Sequence, residues 1–305
     1  MSTTVGDTVR ELARRFASAG IESAGLDAAL LVGHALGLDR TRLLVARERR
    51  LEPREAAAVA ALADRRSRHE PIAYLVGARE FWSLPLGIDR STLIPRPESE
   101  TLIEAALEHL PRRDQALRIL DLGTGSGCLL LALLSERPRA HGVGVDISIE
   151  ACRQAQANAQ ALGLATRAAF VVGDWAAALA ARFDLIVANP PYLALSESAR
   201  LAPEVLRYEP PRALFAGADG LAAYRALGPA LAHRLKDAGL AVIEHGAGQG
   251  PKVVQILEKF GLRRVEARAD LGHRERCLVL QRAAPVAASN DLATKKNSCK
   301  PRGAD

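Results

Sequence analysis

The 305-residue chain contains no CxxC pair and no cluster of cysteine with histidine. Its four cysteines, Cys128, Cys152, Cys277 and Cys299, stand far apart. That spacing excludes a zinc-ligand set and a disulfide framework, so free, mostly buried thiols and no metal site are expected. No apolar run reaches the roughly 18–20 residues a bilayer-spanning helix needs. The segment from Met1 to Arg15 turns amphipathic at once, without the apolar core of a signal peptide. A cytoplasmic protein with no membrane association is expected. No internal repeat is present. The formal charge of +6 favours acidic partners in principle. The positive charge is nearly all Arg, scattered among Glu and Asp, and no basic stripe with interleaved aromatics marks a nucleic-acid groove. No stable nucleic-acid binding is expected.

What is there suffices for a full core: 49% of residues are hydrophobic and 25% charged, an ordinary balance for a globular chain. The length suggests about two domains. Residues 1–78 read as helices: Val5, Val9, Leu12, Ala13 and Phe16 recur at helical spacing and Gly20 follows as a stop. Further helices are predicted from Leu26 to Leu36, from Thr41 to Arg47, and after Pro53 through Asp64, with the proline well placed at a helix start. Residues 79–94 look extended and are predicted to form a hairpin linking two domains. Pro95–Glu100 opens a helix carrying Leu102, Ile103, Ala106, Leu107 and Leu110.

From Arg118 the pattern alternates. Strands are predicted at Ile119–Leu122, Val143–Asp146, Ala169–Gly173, Leu185–Ala188 and Leu240–Glu244, with helices at about 127–135, 149–162, 220–236 and 249–260. The alternation implies an α/β fold with a mostly parallel sheet covered by helices on both faces. Two final strands, Arg264–Ala269 and Cys277–Gln281, adjoin through a short loop, so one of them is expected to be antiparallel. The alternating domain is bounded at 95–283, and residues 284–305, small and polar, are expected to be disordered.

Chemistry gathers at the carboxyl ends of these strands. The first runs into Gly123-Thr124-Gly125-Ser126-Gly127 before a helix. Such a loop lets a ligand approach the backbone closely, beside a helix N-terminus. The spacing is Gly-x-Gly-x-Gly, and Cys128 occupies the place of the third glycine of a dinucleotide fingerprint, which disfavours a nicotinamide cofactor. The second strand ends in Asp146, an acid suited to a ribose diol. The third ends in Asp174-Trp175, where an acid can take an adenine amino group and an indole can pack on the ring. With Asp121, three acids stand at successive strand ends.

After the fourth strand comes Asn189-Pro190-Pro191-Tyr192, the most specific feature in the chain. The prolines stiffen the backbone and offer no N–H, and the first disfavours helical geometry for Asn189. The Asn189 side chain and the Pro190 carbonyl are two acceptors able to hold both hydrogens of an NH2 group, with Tyr192 as an aromatic wall. The pair suits a planar amide or exocyclic amine, whose delocalised lone pair must be freed and aimed. Positioning of this kind is worth about 7–11 kcal/mol at best. Glu244 and His245 tempt as a general base, but a strand-end pair is more often structural, and none is named.

On these residues the chain resembles the release-factor glutamine methyltransferases, the PrmC or HemK family. Further matching segments are Phe81-Trp82, Leu93–Glu98 with Glu100, Tyr208–Pro210, Asp219–Leu221, and Glu244–Gly246 with Gln249. The resemblance runs from the helical N-terminus to about residue 282. It implies a class I methyltransferase sheet of Rossmann-like form, its last strand antiparallel, with a helical substrate-recognition domain in front. It implies S-adenosylmethionine as cofactor and, as substrate, the glutamine of the Gly-Gly-Gln motif in class 1 peptide chain release factors. Carried over, Gly123, Thr124, Gly125, Ser126, Gly127, Asp146, Asp174, Trp175 and Asn189 bind the cofactor. Asn189, Pro190, Pro191 and Tyr192 hold the amide, with Arg96 and Glu98 lining or covering the site; for Glu98 a place beside the helix dipole is an equal alternative. Ser99 stands where the family usually has Thr. A monomer is expected. The Asn-Pro-Pro-Tyr run alone is shared with DNA adenine methyltransferases, so an adenine-N6 or cytosine-N4 methyltransferase is the alternative. It would need base flipping and a basic DNA-reading module, which is not evident.

Overall fold

In the computed structural model the residues described are 3–177 and 179–283; the tail at 284–305 and Cys299 lie outside them. The chain opens with helices α1 (Val5–Ser18), α2 (Ala24–Leu36), α3 (Arg40–Val45), α4 (Pro53–Ser67) and α5 (Ile72–Val76). Local chemistry sets their ends. The Thr4 hydroxyl caps α1 by accepting from Asp7 N at 3.1 Å, and the Asp39 carboxylate caps α3 by accepting from Arg42 N at 2.8 Å. Glu52 N donates to Glu55 Oε2 at 2.9 Å at the start of α4, reciprocal capping behind Pro53. Val5, Leu12, Phe16, Ala28, Leu31, Val32, Val59 and Ala63 share one core in this bundle.

Strands β1 (Ala78–Phe81) and β2 (Leu84–Gly87) form the linking hairpin. Its two-residue turn has Trp82 and Ser83 at φ 52° and 58°, the mirror-image geometry that fits strand twist, here without glycine. Gly87 docks the hairpin: its N–H donates to Asn158 Oδ1 at 2.8 Å, while Asn158 Nδ2 donates to Ser126 O at 2.9 Å. One side chain thus ties the hairpin to the glycine loop.

A 3-10 turn at Pro97–Ser99 leads into α6 (Glu100–His109), and alternation follows: β3 (Arg118–Leu122), α7 (Cys128–Glu136), β4 (His141–Asp146), α8 (Ile149–Ala161), β5 (Ala168–Val172) and β6 (Phe183–Ala188). Then come α9 (Pro203–Tyr208), α10 (Pro211–Leu214), α11 (Ala222–Arg234), β7 (Leu235–Glu244), α12 (Gly250–Glu258), β8 (Leu262–Ala269) and β9 (Glu275–Arg282). The sheet order is β5-β4-β3-β6-β7-β9-β8. Pairings are parallel from β5 to β7, and the last strand, β9, runs antiparallel between β7 and β8, as expected of one of the final pair.

Strand periodicity explains why helices cover both faces. Ile119, Leu185, Val187, Leu240, Val242 and Val279 point to one core, with α6 and α7. Leu120, Leu122, Ile186, Ala188, Ala241, Ile243 and Leu278 point to the other, with α11 and α12. The order reverses beside β3, where β4 lies on one side and β6 on the other, so the carboxyl ends of β3, β4 and β6 diverge around a crevice. No helix among the described residues is long and apolar enough to cross a membrane.

Candidate active site

That crevice is a cavity of about 320 Å³, within the range of small-molecule sites. The glycine loop forms its floor. Gly123, Gly125 and Gly127 have φ of 75°, 54° and 82°, backbone that only glycine adopts freely. A Cβ built on Gly123 or Gly125 meets nothing within 4 Å, so it would project into open space where a ligand approaches. Gly127 differs, since a Cβ there would press on Ala155 at 3.1 Å.

The three strand-end acids do not share one role. Asp121 is buried and does not line the cavity; Thr124 Oγ1 donates to its Oδ2 at 2.7 Å, bracing the loop from behind. Burial pushes its carboxyl up to about 7. Asp146 lines the cavity, with Gly125 N donating to Oδ2 and Ser148 N to Oδ1, each at 2.9 Å. One carboxylate therefore holds both the glycine loop and the start of α8. Its remaining lone pairs suit a diol. Asp174 and Trp175 line the same wall. Trp175 sits at φ 48°, rare for a bulky side chain, and such strain gathers at ligand clamps.

Asn189 and Pro191 line the opposite wall with Ser99, Pro95 and Arg96. Pro190 is buried, Glu98 is exposed, and neither they nor Tyr192 line this cavity. The Tyr192 ring packs against the α11–α12 core and its carbonyl accepts from Gln249 Nε2 at 2.8 Å. Burial and the neighbouring Glu244 push the Tyr192 phenol up to about 12. Arg96 donates to buried Glu209 at 2.6 Å, and Glu209 also accepts from Ile94 N at 3.3 Å. Arg212, from the same segment as Glu209, lines the cavity too.

Sequence reading passed over the contact behind Asn189. Its Nδ2 donates to Ser99 Oγ at 3.0 Å, and Ser99 Oγ donates to Glu244 Oε2 at 2.5 Å. Glu244 is buried at the end of β7, and burial pushes its carboxyl up to about 7. His245, next along, is wholly buried; its Nδ1–H donates to Gly246 O at 2.9 Å, and burial holds its pKa down, keeping it neutral. Its Nε2 lies 3.5 Å from Glu275 Oε1 without hydrogen-bond geometry. Neither residue lines the cavity.

A left-handed glycine loop, a two-handed acid at the second strand end, a strained tryptophan at the third and an Asn-Pro-Pro corner at the fourth converge on one cavity. Together with the sheet order they define a class I S-adenosylmethionine-dependent methyltransferase. The fold is shared with a methyltransferase from Pyrococcus furiosus, at TM-score 0.50 and 13% identity, covering 73% of this chain and 100% of that one. Residues 7–77 match the family model described as PrmC N-terminal domain, and residues 101–216 match the one described as Methyltransferase small domain. The chain is 49% identical over 270 residues to the release factor glutamine methyltransferase of Rhodospirillum rubrum, covering 88% of this chain and 82% of that one. It is 48% identical over 255 residues to the one of Bradyrhizobium diazoefficiens, covering 83% and 86%. The chain belongs to the release factor glutamine methyltransferase family.

Proposed function

We propose that this chain methylates the side-chain amide nitrogen of the glutamine in the Gly-Gly-Gln motif of class 1 peptide chain release factors, in the cytoplasm, with the α1–α5 bundle helping to recognise the substrate. The observation that carries the reading is the orientation of Asn189. Its Nδ2 is committed to Ser99, and its Oδ1 takes no hydrogen bond from the described residues. The corner therefore presents an acceptor at the cavity, and together with the Pro190 carbonyl two acceptors can take both hydrogens of an NH2 group, where a hydroxyl has only one to give.

The residues present fit the cofactor. Asp146 and Asp174 offer acceptors to hydroxyl and amino groups, Trp175 offers a flat apolar face, and the glycine loop leaves room that a Cβ would fill. S-adenosylmethionine, when bound, supplies an electrophilic methyl group on a sulfonium. The protein's own part is positional. Asn189 Oδ1 and the Pro190 carbonyl hold the two amide hydrogens, fixing the nitrogen with its lone pair freed from conjugation. Tyr192 backs the corner through its contact with Gln249, and Arg96 and Glu98 border the approach. No general base is assigned, because an N-methylated amide that is still protonated is acidic enough to release its proton to water.

Mass spectrometry of a purified class 1 release factor tests the reading: one added methyl on the Gly-Gly-Gln glutamine is expected with enzyme and cofactor, and none with Asn189→Ala. Asn189→Ala should retain cofactor affinity within a few-fold by calorimetry. Wild-type transfer by that variant, or methylation of DNA in preference to release factor, would overturn the assignment.

A further inference from the structure

Glu244 is a carboxyl group withdrawn from solvent at the end of β7, and nothing in the established activity calls for it. Removing a carboxylate from water costs several kcal/mol unless it is well partnered. Its side-chain partners are two hydroxyls, those of Ser99 and Tyr192, both of which favour its ionised form by hydrogen bonding. Ser99 Oγ donates to its Oε2 at 2.5 Å, and the Tyr224 hydroxyl donates to its backbone carbonyl at 3.1 Å. Ser99, itself buried, belongs to the turn before α6, while Asn189 ends β6. Three separate segments thus meet in one hydrogen-bonded line, Asn189 to Ser99 to Glu244.

The line has a direction. A serine hydroxyl carries one hydrogen. While Glu244 is ionised it can only accept, so Ser99 must donate to it. Ser99 then has only lone pairs to offer Asn189, so the amide must turn Nδ2 inward and Oδ1 outward. If Glu244 is protonated it can donate to Ser99. The freed Ser99 hydrogen can then turn to Asn189 Oδ1, and the amide reverses to present Nδ2. A donor would then face the substrate's NH2 group, where an acceptor is required.

We propose that Ser99 and Glu244 are positioning residues that fix the polarity of this line, holding Asn189 Oδ1 toward the glutamine amide. The proposal rests on the reading that Asn189 grips that amide. It gives the buried acid a task that a neutral side chain of the same shape cannot fully perform, because only an obligate acceptor dictates the direction.

The surroundings of Glu244 make the polarity sensitive to pH. Arg276 on β9 favours the ionised form, and Glu98 on the turn before α6 opposes it. The Tyr192 phenol beyond β6 favours the ionised form by hydrogen bonding, and Tyr224 on α11 and the thiols of Cys128 at the start of α7 and Cys277 on β9 also feel its charge. His245 beside it stays neutral. Burial dominates and brings the carboxyl up to about 7, so kcat should rise as pH passes upward through that value.

The test uses full-length enzyme with purified release factor, measuring kcat and KM from pH 5.5 to 9 and cofactor Kd by calorimetry. Ser99→Ala should lower kcat roughly 10–100-fold, the scale of a misplaced reacting group, with cofactor Kd within about twofold. Ser99→Thr keeps the hydroxyl and should recover most of that loss. Glu244→Gln should keep measurable kcat but lose the rise near pH 7. Asn189→Ala is the reference. If it transfers normally, the grip assigned to Asn189 is wrong. If it is inactive while Ser99→Ala and Glu244→Gln keep wild-type kcat and the wild-type pH profile, the positioning role alone is overturned. A variant whose cofactor Kd collapses would show that the line holds the fold rather than the amide, which also overturns it.

Discussion

Replacing Asp146 with asparagine removes one charge and almost no volume, yet the geometry predicts a loss close to that of alanine. Both carboxylate oxygens already accept a backbone N–H, from Gly125 and from Ser148, each at 2.9 Å. An asparagine has one oxygen and one NH2 group, so whichever way it turns, a donor faces a donor. Leaving one of these half-buried N–H groups unpaired costs about 1–3 kcal/mol, and hydrogen bonds to an ionised acceptor are themselves worth about 1.5–3 kcal/mol. A net loss of about 2–3 kcal/mol corresponds to a cofactor Kd raised roughly 30–150-fold. The loss is asymmetric. It loosens either the glycine loop or the start of α8, both of which border the cavity. Calorimetric titration of Asp146→Asn and Asp146→Ala with S-adenosylmethionine measures it directly, and melting of the cofactor-free proteins separates binding from folding. Asparagine within threefold of wild type would refute the argument, because it would mean that Asp146 acts by shape alone.

Two more consequences can be measured. Arg66 is buried against Asp27 at 2.8 Å, so Arg66→Met strands a buried charge, which typically costs about 3–5 kcal/mol. A fall in Tm of roughly 10 °C is expected, with most of it regained in the double variant Asp27→Leu, Arg66→Met; a fall below 2 °C would show that the pair contributes little. Gly125→Ala places a Cβ on left-handed backbone at φ 54°, a strain of about 1–2 kcal/mol. Nothing in the protein blocks that Cβ, so the strain should lower Tm by only about 2–8 °C, while cofactor Kd rises about tenfold, and an unchanged Kd would remove this glycine from the cradle.

The strand-ending motifs were legible because each is carried by a few adjacent residues: Gly123 to Ser126, Asp146, Asp174-Trp175, Asn189 and Pro191 all meet at the cavity. Asp121 looked like a third ligand acid, since strand position alone cannot tell a side chain facing a crevice from one facing the loop behind it. The helix expected to reach residue 236 ends at Arg234, and β7 begins at Leu235 rather than Leu240. Leu235 pairs with Phe183 ahead of a register shift, and Lys236 reaches Asp184 at 2.9 Å, long-range contacts that outweigh local propensity. Helices α5, α9 and α10 span 5, 6 and 4 residues, too short for a 3.6-residue period to show. The Ser99–Glu244 contact joins residues 145 apart, and no pattern in either neighbourhood encodes it.

The segment that follows the Asn-Pro-Pro corner shows how a site built on strand ends comes to involve the helices in front of it. Glu204 accepts from Arg66 of α4 at 2.8 Å, the Tyr208 hydroxyl donates to Arg68 O at 3.0 Å, and the Arg90 guanidinium stacks 5.5 Å over the Tyr208 ring. Glu209 then binds Arg96 at the cavity edge. Arg66 is therefore shared between Asp27 inside the bundle and Glu204 outside it. Breaking the outer contact leaves Arg66 with Asp27 and the Glu70 carbonyl, while Glu204, more than a third exposed, regains water. The buried pair with Asp27 fixes where the guanidinium stands, and the half-exposed contact to Glu204 uses that fixed donor to tie the segment after the corner to the bundle, itself worth only about 1 kcal/mol. Several modest contacts from one segment, to Arg66 and Arg68 on the bundle side and to Arg96 at the cavity edge, together make the bundle part of the active-site framework.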